Sequence, residues 1–381
     1  MHHAFRILWP ALAVVVSAVC GSCTHGTTAA TAREGDTVRL RYAERLTIVR
    51  YDGYTEVRLS DPWNQGKTLH TYLLTSHPDR LPAQTGGATV VRVPLQRCVV
   101  TTSVHCGLVE SFGKGESIGG VCDLQYIHLP YIRQRCERGE VADCGSALSP
   151  SVEQIIDLQT DALFLSPFQN SGGYGRMEEL AIPIIETADY METSPLGRAE
   201  WMRFYGMLFG AEAVADSLFA DVETRYLALR QQVQNQPPGT SSVSALMDKQ
   251  TGSVWYVPGG RSTIGTLISD AGIGYAWSAD DHSGSLALPF ERVLESAGEA
   301  DIWLFRYNAP TAITRSTLLS EHAGYAQFKA FRTGRLYGCN TATSDFYEET
   351  PFHPDRLLRD FITIAHPALQ LGAPRYFQPV P

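Results

Sequence analysis

Ser194-Pro195-Leu196-Gly197-Arg198-Ala199-Glu200-Trp201 opens the longest helical pattern in the chain. A hydroxyl able to cap free N–H groups precedes a proline whose missing N–H is harmless in a first turn. Beyond it Trp201, Phe204, Tyr205, Leu208 and Phe209 recur at the i, i+3, i+4, i+7, i+8 spacing of one buried helix face. Gly210 is expected to break this helix. Leu218, Phe219, Val222, Tyr226 and Leu229 then carry the apolar stripe to about Val233, and Pro237-Pro238-Gly239 ends it. Residues 211–234 as a single helix would measure about 36 Å, long enough to brace two lobes.

Working outward, both flanks alternate strands with helices. Upstream, Ala88–Pro94 and Cys98–Thr102 read as strands, His105–Phe112 as a helix ended by Gly113, and Ser117–Cys122 as a strand. Ser151–Leu158 follows as a helix, then Ala162–Leu165 and Ile182–Glu186 as strands. Downstream the order is strand Val243–Met247, helices Ser262–Ala271 and Phe290–Ala297, strands Ile302–Phe305 and Arg335–Tyr337, and helix Pro354–Ile364. Such alternation implies parallel α/β units. One similarity links the flanks: Ser151-Val-Glu-Gln-Ile-Ile before Asp161-Ala-Leu-Phe-Leu echoes Pro289-Phe-Glu-Arg-Val-Leu before Asp301-Ile-Trp-Leu-Phe. Each is a helix with an early Glu, then an Asp introducing a buried strand. Two similar α/β lobes joined by one long helix is therefore the expected fold. Ahead of them, residues 36–75 alternate in short runs split by Asp52-Gly53, the pattern of antiparallel hairpins.

The 381 residues are 44% hydrophobic and 19% charged, with a formal charge of −9. That composition excludes collagen-like, low-complexity and wholly disordered classes. The acidic balance argues against a large phosphate-binding surface, so nucleic acid is not an expected partner. No apolar run is long enough for repeated membrane crossing. The start differs: Arg6, the apolar run Ile7–Val19 and the small residues Ser17-Ala-Val-Cys-Gly-Ser-Cys23 have the layout of a signal peptide. A thiol directly after small residues matches a lipidation site, and Cys23, behind Gly21-Ser22, fits better than Cys20 behind Val19. Export permits disulfides among Cys98, Cys106, Cys122, Cys136, Cys144 and Cys339, with pairings that sequence does not choose and buried free thiols as the simpler reading.

Chemical motifs are sparse. Gly115-Glu-Ser-Ile-Gly119 matches the nucleophile elbow of α/β hydrolases, which makes Ser117 the nucleophile of an alternative secreted serine hydrolase. That elbow needs a strand before it and a helix after it, and here the order is reversed. His105, His128, His282, His322, His353 and His366 form no metal-binding pair. Gly172-Gly173 and Gly259-Gly260 lack a phosphate-binding fingerprint and read as turns or as places where a ligand approaches the backbone. Aromatic residues in loops beyond strands carry more information. Phe168 and Tyr174 follow Ala162–Leu165, Trp255 and Tyr256 lie in a Gly/Pro-bounded loop after Val243–Met247, and Phe346-Tyr347 follow Arg335–Tyr337. Open parallel sheets bind ligands beyond the carboxyl ends of their strands, so these residues, with Arg176 and Arg261 nearby, point to a cleft between lobes.

With these features the chain resembles the substrate-binding proteins of bacterial ABC importers for iron-siderophores, haem and cobalamin. The resemblance rests on the lipoprotein start, Ile118–Cys122, Ser149–Leu165, Ile182–Tyr226, Phe290–Phe305 and Ser344–Arg359, and spans roughly residues 90–370. It implies two Rossmann-like lobes bridged by one long helix, the class III periplasmic-binding-protein architecture. The expected order is a signal peptide over 1–22, a tether over 23–35, an added hairpin-rich extension over 36–90, an N-terminal lobe over 91–194, a helical segment over 195–235 and a C-terminal lobe over 243–381. The resemblance implies no catalysis and no cofactor: the protein captures an iron chelate, haem or a corrinoid and delivers it to a permease and ATPase complex. A lipid-anchored monomer in the periplasm or at the cell surface is expected, with a surface scavenger feeding an outer-membrane transporter as the other binding role. Glu153 and Glu291 take the positions at which the family docks on permease arginines. Phe168, Tyr174, Trp255, Tyr256 and Phe346 are the implied walls for a corrin, haem or catecholate face, and Arg176, Arg261 and Arg306 the partners of an anionic chelate. Where cobalamin-binding relatives carry tryptophans, this chain has Ala147 and Ser285.

Overall fold

The turn at Asp52-Gly53, with Gly53 at φ +88°, reverses the chain between β2 (Leu46–Tyr51) and β3 (Tyr54–Ser60), as the sequence predicts. The computed structural model describes residues 34–169, 173–237 and 243–381. The signal peptide, Cys20, Cys23 and nearly all of the tether lie outside the described residues, as do 170–172 and 238–242. With β1 (Asp36–Thr37), β4 (Thr68–Thr75) and β5 (Thr89–Arg92), the hairpin builds a sheet of order β1-β2-β3-β4-β5, antiparallel except for its last pair.

The next sheet belongs to the N-terminal lobe. It runs through β6 (Cys98–Val100), α1 (Ser103–Ser111), β7 (Ile118–Val121), α2 (Pro130–Glu137), β8 (Ala142–Asp143), the small ladder β9 (Gly145–Ser146) and β10 (Ser149–Pro150), α3 (Val152–Asp157), β11 (Ala162–Leu165) and β12 (Ile184–Glu186). The strand order is β12-β11-β6-β7-β8, all parallel. β6, β7 and β11 are buried throughout, which is why they read as unbroken apolar runs rather than alternating ones. The added sheet docks on the free edge of β12: the fully buried Tyr72 donates its hydroxyl to Ile184 O at 3.0 Å and accepts from Glu186 N–H at 2.8 Å.

The opening octapeptide does what its residues foretell. Ser194 Oγ accepts from Gly197 N–H at 2.9 Å, and α4 (Pro195–Glu200) runs into α5 (Met202–Leu208) before Gly210, at φ +61°, breaks the chain ahead of α6 (Glu212–Gln234). Glu200 and Trp201 have a role that their spacing does not reveal. The buried Glu200 carboxylate accepts from the N–H groups of Arg41, Tyr42 and Ala43, and Glu192 from those of Glu44 and Arg45 and from the Trp201 indole. Two buried carboxylates thereby hold the strand-to-strand connection of the extension.

At 23 residues α6 is about 35 Å long. It packs on α5 at one end, and toward the other its Arg225 pairs with Asp355 at 2.7 Å and its Tyr226 hydroxyl donates to Asp270 at 2.6 Å, both in the C-terminal lobe. This is the bridging helix.

The C-terminal lobe comprises β13 (Ser244–Met247), β14 (Gln250–Thr251), β15 (Val254–Pro258), α7 (Thr263–Asp270), β16 (Gly274–Tyr275), β17 (Ser285–Leu288), α8 (Phe290–Ala297), β18 (Ile302–Tyr307), α9 (Arg315–Glu321), α10 (Lys329–Thr333), β19 (Leu336–Asn340), α11 (Phe346–Glu349), α12 (Pro354–Ala365) and β20 (Gln378–Pro379). Its main sheet, β16-β13-β18-β19-β20, is parallel apart from β20. A second, antiparallel sheet β14-β15-β17 covers it. This sheet is a correction: residues 254–258 form a strand, not a loop. Phe346 and Tyr347 likewise lie in a short helix rather than in a loop. α1 packs directly on α11, and α4 on α7, so the two lobes meet along helix faces as well as through α6.

All six cysteines beyond Cys23 are free thiols, five of them buried. Among the described residues no helix is long and apolar enough to cross a membrane.

Candidate functional site

The strands of the C-terminal lobe converge on Asp248, the residue after β13. Its backbone is left-handed (φ +58°), a conformation that Asp tolerates better than most residues. Three contacts hold it there. Its N–H donates to Leu304 O at 2.7 Å, its carbonyl accepts from the Trp303 indole at 2.6 Å, and its carboxylate takes both prongs of Arg306, at 2.8 and 2.6 Å. Arg306 in turn lies over the Phe346 ring, 5.8 Å from its centroid. One guanidinium nitrogen, the second Nη, makes no hydrogen bond among the described residues.

Above this pair opens a hollow of about 440 Å³ at the carboxyl ends of β13 and β18, within the size range of small-molecule sites. Tyr256, Tyr307 and Tyr347 wall it, and the ion pair of Lys249 with Glu321, at 2.7 Å, borders it. Tyr256 and Tyr347 are 50% and 43% exposed at its wall. Flat aromatic walls around a guanidinium suit a planar or aromatic anion.

The residues singled out from sequence scatter on this framework. Tyr256 lines the hollow. Trp255 does not: it is fully buried, packs on Trp303 and Phe328 at 5.6 and 5.5 Å, and gives its indole N–H to Met247 O. Phe346 is also core, only 3% exposed, and serves the hollow by supporting Arg306 from beneath. Strand alternation explains both members of the first pair, since Trp255 faces in and Tyr256 out. Phe168 and Tyr174 line a separate hollow against the added sheet. Arg176 is exposed on the 3₁₀ turn Gly175–Leu180 and borders neither hollow. Arg261 is 56% exposed, with its guanidinium 3.9 Å from Glu44. Its neighbours Gly259 and Gly260 do admit a close backbone, but it is the chain's own: a Cβ would stand 2.3 Å from His282 O and 2.5 Å from Asp280 O. Arg306, expected to face a chelate, is largely committed to Asp248. Asp248, Tyr307 and Asn308 at this hollow went unread, since nothing in their local sequence distinguishes them from ordinary strand ends.

Ser117 ends a 3₁₀ turn that leads into β7, and its hydroxyl contacts only Leu95 O at 3.4 Å, with no histidine or carboxylate partner among the described residues. Glu153 and Glu291 are both exposed, each the second residue of its helix, α3 and α8. Neither has a hydrogen bond or ion pair among the described residues.

Residues 100–343 match the periplasmic binding protein family. The chain is 26% identical over 361 residues to an uncharacterized lipoprotein of Methanocaldococcus jannaschii, across 89% of this chain and 84% of that one. Among solved structures it is similar to a periplasmic haem binding protein from Pseudomonas aeruginosa, with TM-score 0.56 and 15% identity over 72% of this chain and 94% of that one. It is also similar to the periplasmic vitamin B12 binding protein of Vibrio cholerae, with TM-score 0.53 and 13% identity over 73% and 99%. At these identities the structures establish a shared fold.

Proposed function

The chain belongs to the periplasmic binding protein family, and we propose that it is the lipid-anchored, extracytoplasmic receptor of an ABC importer for a metal chelate. Its cargo is an iron-siderophore, haem or a corrinoid, which it delivers unchanged to a permease and ATPase complex. The observation that carries this reading is the pair Glu153 and Glu291. Helix N-termini favour carboxylates, so a first-turn Glu alone needs no partner to explain it. Two at the same helical position, one per lobe, both exposed and without partners among the described residues, are what a permease presenting two cations would engage.

The hollow at Asp248 supports the cargo class. Three tyrosines and the remaining Nη of Arg306 offer aromatic faces and N–H donors to a bulky chelate. The lipoprotein relative supports the anchor at Cys23. Binding requires neither a nucleophile nor a proton relay, and the protein acts as a monomer.

The absorbance spectrum of protein purified from its native host tests the cargo directly, because a corrin, haem or ferric-catecholate band would name it. Titration of ligand-free protein with cyanocobalamin, haemin and a ferric catecholate follows. Saturable binding of one is expected, and failure of all three would overturn the chelate assignment.

A further inference from the structure

The second hollow, also about 440 Å³, lies between the added sheet and the edge of the N-terminal lobe. Leu69 and His70 come from β4 of the added sheet and Trp63 from the loop before it, outside the residues that match the family, while Phe168, Tyr174 and Glu186 come from the lobe. Glu186 ends β12 and is only 9% exposed. Its Oε1 stands 3.6 Å from His70 Nδ1, yet its Oε2 is buried without a hydrogen-bond partner among the described residues. Tyr174 lines the same hollow, and its hydroxyl is likewise buried and unpartnered among the described residues. A buried polar atom left without a partner is costly, so two on residues lining one cavity mark a place for a hydrogen-bonding group.

We infer that this hollow binds a primary ammonium group carried on an aromatic or apolar body. The carboxylate of Glu186 selects positive charge, and its orphaned oxygen, an acceptor only, selects an N–H donor, which a quaternary ammonium lacks; the Tyr174 hydroxyl accepts a second. Trp63 and the 54% exposed Phe168 supply apolar faces for the body of the ligand and ring faces that attract a cation. No group of three His, Cys, Asp or Glu among the described residues is placed to hold a metal ion, so an organic cation fits where a metal does not. No C-terminal-lobe residue lines the hollow, and the site stands or falls apart from the chelate reading.

The test uses the mature chain labelled with nitrogen-15, following the Trp63 indole resonance, assigned with Trp63→Phe, during titration with 2-phenylethylammonium. Saturable shifts are expected, at least about tenfold weaker in Glu186→Gln and in wild type with the N,N,N-trimethyl analogue. Phe168→Ala, at an exposed position where folding is not at risk, is expected to weaken binding several-fold. Absence of saturation, which would mean that water alone satisfies the two oxygens, overturns the proposal. So does equal affinity for the trimethyl analogue, or equal affinity in both variants.

Discussion

Asp161 and Asp301 make the same reciprocal backbone clip, one in each lobe. Asp161 Oδ2 accepts from the N–H groups of Gln96 and Arg97 at 2.7 and 2.8 Å, while its own N–H donates to Arg97 O at 2.7 Å. Asp301 Oδ2 accepts from the N–H and hydroxyl of Ser244 at 2.9 and 3.0 Å, and its N–H donates to Ser244 O at 2.9 Å. Each aspartate thus clips the start of its own strand to the start of the neighbouring strand. The internal echo of the sequence is therefore a repeated structural joint, following α3 in one lobe and α8 in the other.

Removing either clip should loosen its sheet. Asp161→Ala and Asp301→Ala are each expected to cost about 1–2 kcal/mol in urea unfolding. Asp301 carries an added pH signature: hydrogen bonds from Lys329 and then from Ser244 N–H hold its carboxyl down at about 2, from 3.8. A depressed carboxylate stabilises the fold above its unfolded value, and that contribution fades as pH falls from 3.8 toward 2. The acid transition of Asp301→Asn should lack this component, and an identical acid transition would contradict the assignment.

His353 governs a milder acid response. It borders a hollow between α1 and α11, with its Nδ1 buried and unpartnered among the described residues. Burial first, then the cation of Arg356, lowers it from 6.5 to about 4, against the opposing pull of Asp355 and Glu349. The folded state binds fewer protons than the unfolded chain in this window, so stability is complete above 6.5 and declines as pH falls to about 4. The loss is on the order of 2–3 kcal/mol. Urea midpoints at about pH 7 and about pH 4.5 should converge in His353→Gln relative to wild type.

Sequence exposed the scaffold far better than the site. Strands buried on both faces declare themselves as apolar runs, as in Ala162–Leu165, and the Ser194-Pro195 start and Gly210 stop bound their helices by local chemistry. The site depends on which way a ring points. Trp255 and Tyr256 are adjacent, yet one lies in the core and the other on the hollow, and only recognising 254–258 as a strand separates them. Arg306 looked available because its partner, Asp248, lies 58 residues away. Long-range pairing of that kind leaves no local trace.

At the chelate hollow, Tyr256→Ala should weaken cargo binding about tenfold, since an exposed wall residue contributes contact area without supporting the fold. Arg306→Lys should lose comparable affinity and also some stability, because a lysine cannot reproduce the two-pronged contact with Asp248. Equilibrium titration and thermal melting separate the two effects. Unchanged affinity in both variants would move the cargo site elsewhere.

The central claim, delivery to a permease through one glutamate on each lobe, is tested most directly by cargo uptake in the native host carrying Glu153→Ala/Glu291→Ala in place of wild type. Uptake is expected to fall about tenfold or more, as losing two charge contacts with the permease would require, while the purified variant binds cargo with unchanged affinity. Uptake at the wild-type rate with the double variant would contradict the account.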